Sequence, residues 1–175
     1  MNMELFGKLA KIKLMIFDVD GVLTDGKMHY GHDGEMMKSF NVLDGHGIKL
    51  LKHANVETAI ISARNTPIVL KRAADLDIDH VIQGASDKRA ALEILLEKTG
   101  LETEQCAYIG DDIIDLPILT RVGAAFTVPS GHVEVLSRVD HITHRHAGDG
   151  AVREVCDMIL TAKGCYTSVL ESFLK

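Results

Sequence analysis

Short runs of β-type residues recur at 13–17, 57–61, 106–109, 124–128 and 139–142, and helix-like stretches separate them. Strands that alternate with helices are joined by crossover connections, which make neighbouring strands parallel and lay helices on both faces of the sheet. The run Leu14, Met15, Ile16, Phe17 agrees, because it leaves no polar position for a water-facing side. The expectation is an α/β fold of three layers, a parallel sheet between two layers of helices. Helix ends are also marked: Thr66 caps a helix with Pro67 at its first position, and Gly100 stops the run from 87 to 99. Between 27 and 40 the pattern changes, as Lys27 to Tyr30 and Met36 to Phe40 flank Gly31-His32-Asp33-Gly34 and predict a β-hairpin projecting from the end of the first strand. No repeat, linker or low-complexity segment interrupts the 175 residues, so a single domain over 1–175 is expected.

Charge and cysteine usage exclude several classes of function. Lys plus Arg number 19 against 25 Asp plus Glu, a net charge of −6, and no basic block is present, so nucleic acid is not expected as a partner. Cys106, Cys156 and Cys165 are widely spaced, contain no CxxC pair, and read as free thiols of a reducing, cytoplasmic setting. The N-terminal apolar stretch from Leu14 to Phe17 is too short for a membrane span or a signal peptide, and no membrane association is expected.

The chemistry-bearing residues cluster where strands end. Asp18-Val19-Asp20-Gly21 follows the first apolar run, and residues i and i+2 of an extended backbone point to one side, so both carboxylates can face one ligand. Gly110-Asp111-Asp112-Ile113-Ile114-Asp115 follows the 106–109 run in the same way. Ligands of open α/β sheets bind beyond the carboxyl ends of the strands. Either cluster alone would read as a turn or a helix cap. Brought together, they make a site of hard oxygen donors that suits Mg²⁺ holding a phosphate.

Four ordered motifs, Asp18-Val-Asp20-Gly21-Val-Leu, Ser62 in Ile60-Ile-Ser-Ala-Arg64, Lys88 at a helix start, and Gly110-Asp-Asp-x-x-Asp115, resemble those of the haloacid dehalogenase superfamily over residues 13–128. The resemblance implies a Rossmann-like phosphatase. Asp18 is then the nucleophile that attacks phosphorus, and Asp20 the general acid and base that protonates the leaving oxygen and later deprotonates water. Mg²⁺ is held by Asp18, the Asp20 backbone carbonyl and Asp111, with Asp112 and Asp115 as outer or water-mediated partners and Asp115 also orienting Lys88. Ser62 and Lys88 bind the phosphoryl oxygens, and Arg64 is expected to grip a substrate carboxylate with its planar fork. The stretches 18–26 and 147–154 further resemble members acting on sugar-acid phosphates of lipopolysaccharide synthesis, with 3-deoxy-D-manno-octulosonate 8-phosphate as the expected substrate. The alternatives are a nine-carbon nonulosonate 9-phosphate and, outside catalysis, a silent oligomerisation domain, which requires lost motif residues where none is lost.

Superfamily members usually cover the site with a cap inserted between motifs, and the short gaps from Asp18 to Ser62 and from Ser62 to Lys88 leave no room for one. A capless site acts on macromolecules or borrows its cover, and the resemblance implies a homotetramer closed by the 27–40 hairpins, with sites at subunit interfaces. The tail 164–175 either folds over a site, its own or a neighbour's, or ends as a frayed helix. Met15, Met28, Met36 and Met37 read as core or interface filler. His141, His144 and His146 read as surface or interface histidines, since no thiolate or acidic residue stands at ligand spacing beside them.

Overall fold

The computed structural model describes residues 2–175. Six strands form one parallel sheet: β1 (Leu14–Phe17), β4 (Glu57–Ile61), β5 (His80–Ile82), β6 (Cys106–Ile109), β7 (Ala124–Thr127) and β8 (His141–Ile142), in the order β5-β4-β1-β6-β7-β8. β2 (His29–Gly31) and β3 (Gly34–Met37) form the separate antiparallel hairpin. The chain leaves β1 toward β4 and β5, then returns to the other side of β1 for β6, so β1 is the switch point of the topology.

Alternation along β1 explains why no residue of it is polar. Met15 and Phe17 point into one core with α1 (Met3–Ala10), α2 (Val42–Leu50), α3 (Pro67–Asp75) and α7 (Ala151–Ala162). Leu14 and Ile16 point into the other core, with α4 (Lys88–Thr99), α5 (Leu116–Leu119) and α6 (Val133–Leu136). The three-layer α/β arrangement is therefore as expected, with both sheet faces covered and the strand ends left for chemistry. Thr66 caps α3 with Pro67 at its first position, and Gly100 ends α4 in the left-handed conformation.

β1 and β7 are each one residue shorter than expected, and two other elements are shorter by more. The hairpin's paired residues run from His29 to Met37, inside the expected 27–40. The last strand is only His141–Ile142, because the Asp140 carboxylate accepts the Ala125 N–H at 2.8 Å and takes the place of a ladder partner there. The tail forms α8 (Tyr166–Ser172), which buries Val169 and sets the Phe173 ring edge-on against His46 of α2, centroids 5.5 Å apart. It therefore packs on α2 instead of lining the cleft at Asp18 in its own chain.

Candidate active site

Three strand ends converge on one cleft. The Asp18 N–H donates to the Ile109 carbonyl, the Ser62 N–H to Ile82 and the Gly110 N–H to Phe126, so each residue sits one ladder step beyond β1, β4 and β6. The cleft, about 180 Å³, is lined by Asp18, Asp20, Ser62, Ala63, Arg64, Asp111, Asp112 and Ile114. Lys88 and Asp115 lie buried beneath it. Every site residue singled out in the sequence is thus gathered at this edge of the sheet.

Below the cleft, Lys88 is the first residue of α4, where a positive charge opposes the helix dipole. It is held there by carboxylates: its ammonium lies 2.9 Å from Asp18 Oδ1 and 2.5 Å from Asp115 Oδ1, and donates to the Tyr108 hydroxyl at 3.1 Å. An ammonium has three donors, and all have partners. Tyr108 in turn donates to Asp115 Oδ1 at 2.5 Å, while Asp115 Oδ2 accepts the backbone N–H groups of Asp111 (3.0 Å) and Asp112 (3.1 Å). Asp115 therefore ties the 110–115 loop to the Lys88 that touches the nucleophile candidate. Asp112 caps the following turn through Ile113 N–H at 2.7 Å.

Gly21 makes the close approach possible. Its φ is +88°, and a Cβ there would lie 2.2 Å from Asp111 Oδ2, so only glycine lets the Asp111 carboxylate close over the turn after Asp18.

Asp18 and Asp20 share the cleft but have different partners, and a turn begins at Asp20. The Asp20 carboxylate accepts a short hydrogen bond from Lys38, whose ammonium also lies 2.7 Å from Glu35 Oε1 and is shut off from water. Arg64 stands at the rim, 3.8 Å from both Asp20 Oδ2 and Glu35 Oε2, and donates to the Tyr30 hydroxyl at 3.1 Å. Sequence reasoning missed Tyr30, Glu35 and Lys38 of the hairpin, and Tyr108. Tyr108 had a signal, the one polar group in the apolar run two residues before Gly110. Lys38 had only its place beside two methionines.

Burial and crowding act on the carboxylates. Burial, then the charge of Asp115, push Asp18 up to about 7 against the pull of Lys88. Asp111 is likewise pushed up to about 7 by burial and by Asp115 and Asp112. Burial alone would lower Lys88, but Asp18 and Asp115 more than reverse this and raise it. Carboxylate oxygens of Asp18, Asp111 and Asp115 come within 4.8 Å of one another beside a single ammonium, an excess of negative charge. Asp115 already bonds Lys88, Tyr108 and two amides, and the Asp20 carboxylate is committed to Lys38. Asp18 and Asp111 are left with oxygens for a hard divalent cation, whose charge would let both ionise, so the donor set fits Mg²⁺.

The histidine reading needs correction in one respect. An acidic partner is present in space, since the fourth residue of α7, Glu154, lies 3.2 Å from His141 Nε2 and 2.9 Å from His144 Nδ1. Its distance in sequence hid it.

Comparison with known proteins places these residues in a wider setting. Residues 78–155 match the family model described as haloacid dehalogenase-like hydrolase. The 3-deoxy-D-manno-octulosonate 8-phosphate phosphatase KdsC of Salmonella typhi is 46% identical over 157 residues, covering 90% of this chain and 84% of its own. A crystal structure of a probable yrbi family phosphatase from Pseudomonas syringae superposes with a TM-score of 0.97 at 44% identity, covering 99% of each chain. The 3-deoxy-D-manno-octulosonate 8-phosphate phosphatase of Moraxella catarrhalis, solved with a magnesium ion, a phosphate ion and a KDO molecule, gives 0.95 at 42% identity over 98% of this chain and 99% of that one.

Proposed function

The chain belongs to the haloacid dehalogenase-like hydrolases, and from that premise we propose that it is a Mg²⁺-dependent phosphomonoesterase whose substrate is 3-deoxy-D-manno-octulosonate 8-phosphate, an intermediate of lipopolysaccharide synthesis. The observation that carries the chemistry is the Asp18 carboxylate, buried at the end of β1 and 2.9 Å from the Lys88 ammonium beside Asp111. The eight-carbon substrate rests on the relatives, which match along nearly the whole chain.

The tasks divide among the groups as follows from their positions. Asp18 attacks phosphorus, forming an aspartyl phosphate as the bond to the sugar oxygen breaks. Asp20, protonated, gives its proton to that oxygen; ionised, it then takes a proton from the water that attacks the aspartyl phosphate and releases inorganic phosphate. Ser62 binds a phosphoryl oxygen from the cleft wall, while Lys88, its three donors on Asp18, Asp115 and Tyr108, balances Asp18 before attack and turns the donor on Asp18 to the phosphoryl oxygens as Asp18 bonds to phosphorus. Lys38 fixes the Asp20 carboxylate at the cleft. Mg²⁺, held by Asp18, the Asp20 backbone carbonyl and Asp111, supplies charge neutralisation between nucleophile and phosphate. Arg64 holds the substrate carboxylate at the rim, where its side chain is 42% exposed and free to meet a ligand.

The working form is a cytoplasmic homotetramer with its sites at subunit interfaces. Support comes from the hairpin, a two-stranded element with unpaired edges that exposes Tyr30, Met36 and Met37 beside an uncapped cleft, with Val42, Leu43, Ile113 and Ile114 also exposed. The test is phosphate release from eight-carbon and nine-carbon sugar-acid phosphates side by side. The eight-carbon ester is expected to be cleaved with the higher kcat/KM, in a Mg²⁺-dependent reaction that Asp18→Asn abolishes. Near-normal turnover by Asp18→Asn would refute the covalent route, and preference for the nine-carbon ester would refute the substrate.

A further inference from the structure

Away from the cleft, β8 and the loop after it bring a second set of ligand-type side chains together. His141 lies on β8, His144 in the loop and Glu154 on α7. One donor atom from each falls within 4.8 Å of the others, and both imidazole nitrogens aim at Glu154 Oε1, at 3.2 and 2.9 Å. Bonds from imidazole nitrogen and carboxylate oxygen to a borderline divalent ion are about 2.0 to 2.2 Å long, which at angles between octahedral and tetrahedral sets donors about 2.9 to 3.4 Å apart. Both nitrogen-to-oxygen separations already have that spacing.

The cluster is held in place. Glu154 Oε2 accepts the backbone N–H groups of His144 (2.9 Å) and Arg145 (3.0 Å), and the His144 N–H is shared with Oε1 at 3.1 Å, so the loop backbone fixes the carboxylate beside the two rings. The His141 ring stands edge-on to Phe126, centroids 6.2 Å apart, and 5.8 Å from the His144 ring. His144 and Glu154 also form part of the wall of an open hollow of about 550 Å³ along α7, which gives an ion access from solvent.

We propose that His141, His144 and Glu154 form a second divalent-metal site that takes a borderline transition ion, Zn²⁺, Co²⁺ or Ni²⁺, and clips the 143–150 loop to α7. Two imidazoles and one carboxylate favour such ions over Mg²⁺, which prefers oxygen donors and dehydrates reluctantly. On binding, each imidazole gives up its hydrogen bond to Glu154 Oε1 and carries its proton on the nitrogen facing away, exchanged through solvent, so that His141 Nε2 and His144 Nδ1 become the ligating atoms. With three protein ligands and the His144 side chain 87% exposed, water completes the coordination. The clip is structural. The loop donates Gly148 N–H to the Val22 carbonyl at 2.9 Å, and a Cβ at Gly148 would lie 2.7 Å from Asp25 N, so the loop braces the turn that follows Asp18 and Asp20. The site shares no residue with the Asp18 cleft and does not depend on the phosphatase reading.

The test uses the full chain carrying Asp111→Asn, so that ions at the cleft do not obscure the result. Calorimetric titration with Zn²⁺ is expected to find one site per chain. His144→Ala in that background, a change at an exposed side chain, is expected to weaken binding by at least about tenfold, and His141→Ala likewise. In nitrogen-detected NMR, the imidazole signals of His141 and His144 should move on adding Zn²⁺ and not on adding Mg²⁺, and the melting temperature should rise only with the transition ion. Zn²⁺ uptake of equal affinity after loss of either histidine, or imidazole signals unmoved by Zn²⁺, overturns the proposal.

Discussion

Replacing Asp111 with asparagine should stabilise the metal-free protein while destroying its activity. Folding carries the Asp111 carboxyl from its ordinary 3.8 to about 7. The folded chain therefore binds a proton that the unfolded chain has released between about pH 4 and 7. Stability falls as pH rises through that window, and the whole penalty is present above it. At about 1.4 kcal/mol per pH unit the interval corresponds to about 4 kcal/mol. Asp111 is only partly buried, and screening at its exposed edge brings the expected figure to about 2 to 4 kcal/mol. Asparagine has the same shape, keeps the contact over Gly21 and does not ionise. In chelator at pH 8, Asp111→Asn should melt roughly 5 to 15 °C above the parent, and the gain should shrink toward zero by about pH 4. Added Mg²⁺ should then raise the parent and leave the variant unchanged, by about 2.7 kcal/mol at a hundredfold excess over Kd. Urea denaturation in chelator across this pH range measures the difference. Equal stability of the two proteins at pH 8, or a gain independent of pH, would refute the reasoning.

Other substitutions separate the remaining roles. Arg64→Ala should lower kcat/KM for the sugar-acid ester by about tenfold to a hundredfold, the loss of one charge-assisted bond of roughly 1.5 to 3 kcal/mol, and should leave p-nitrophenyl phosphate hydrolysis nearly unchanged. Equal losses on both substrates would assign Arg64 to phosphate. Gly21→Ala places a methyl 2.2 Å from Asp111 Oδ2 at a φ of +88°. It should cost about 1 to 2 kcal/mol from the left-handed backbone alone and weaken Mg²⁺ activation, read from melting and from Mg²⁺ titration of turnover. Met36→Glu puts a charge on the exposed face of the hairpin, and light scattering at assay concentration should find smaller species whose turnover of the sugar ester has fallen in step. A fully active monomer would sink the interface reading.

Sequence alone determined the parts whose physics is local. Alternation of apolar runs with capped helices requires a sheet covered on both faces, and strand polarity then sends Asp18, Ser62 and Asp111 to one edge, because every parallel strand ends on the same side. The gap that Gly21 leaves for Asp111 is not legible in the sequence, because it depends on a loop some ninety residues away. Tertiary structure decided which charges meet. Nothing near Lys38 in sequence indicates that its ammonium is buried between Asp20 and Glu35, since that pairing depends on how the hairpin folds back over the turn after β1. Tyr108 joins Lys88 and Asp115 only because β6 and α4 pack on one face of the sheet. Glu154 reaches His141 and His144 only because the first turn of α7 packs beside β8 and the loop that follows it. Periodicity records which side of an element is apolar, whereas the partner of a buried charge is chosen by the packing of elements far apart in the chain.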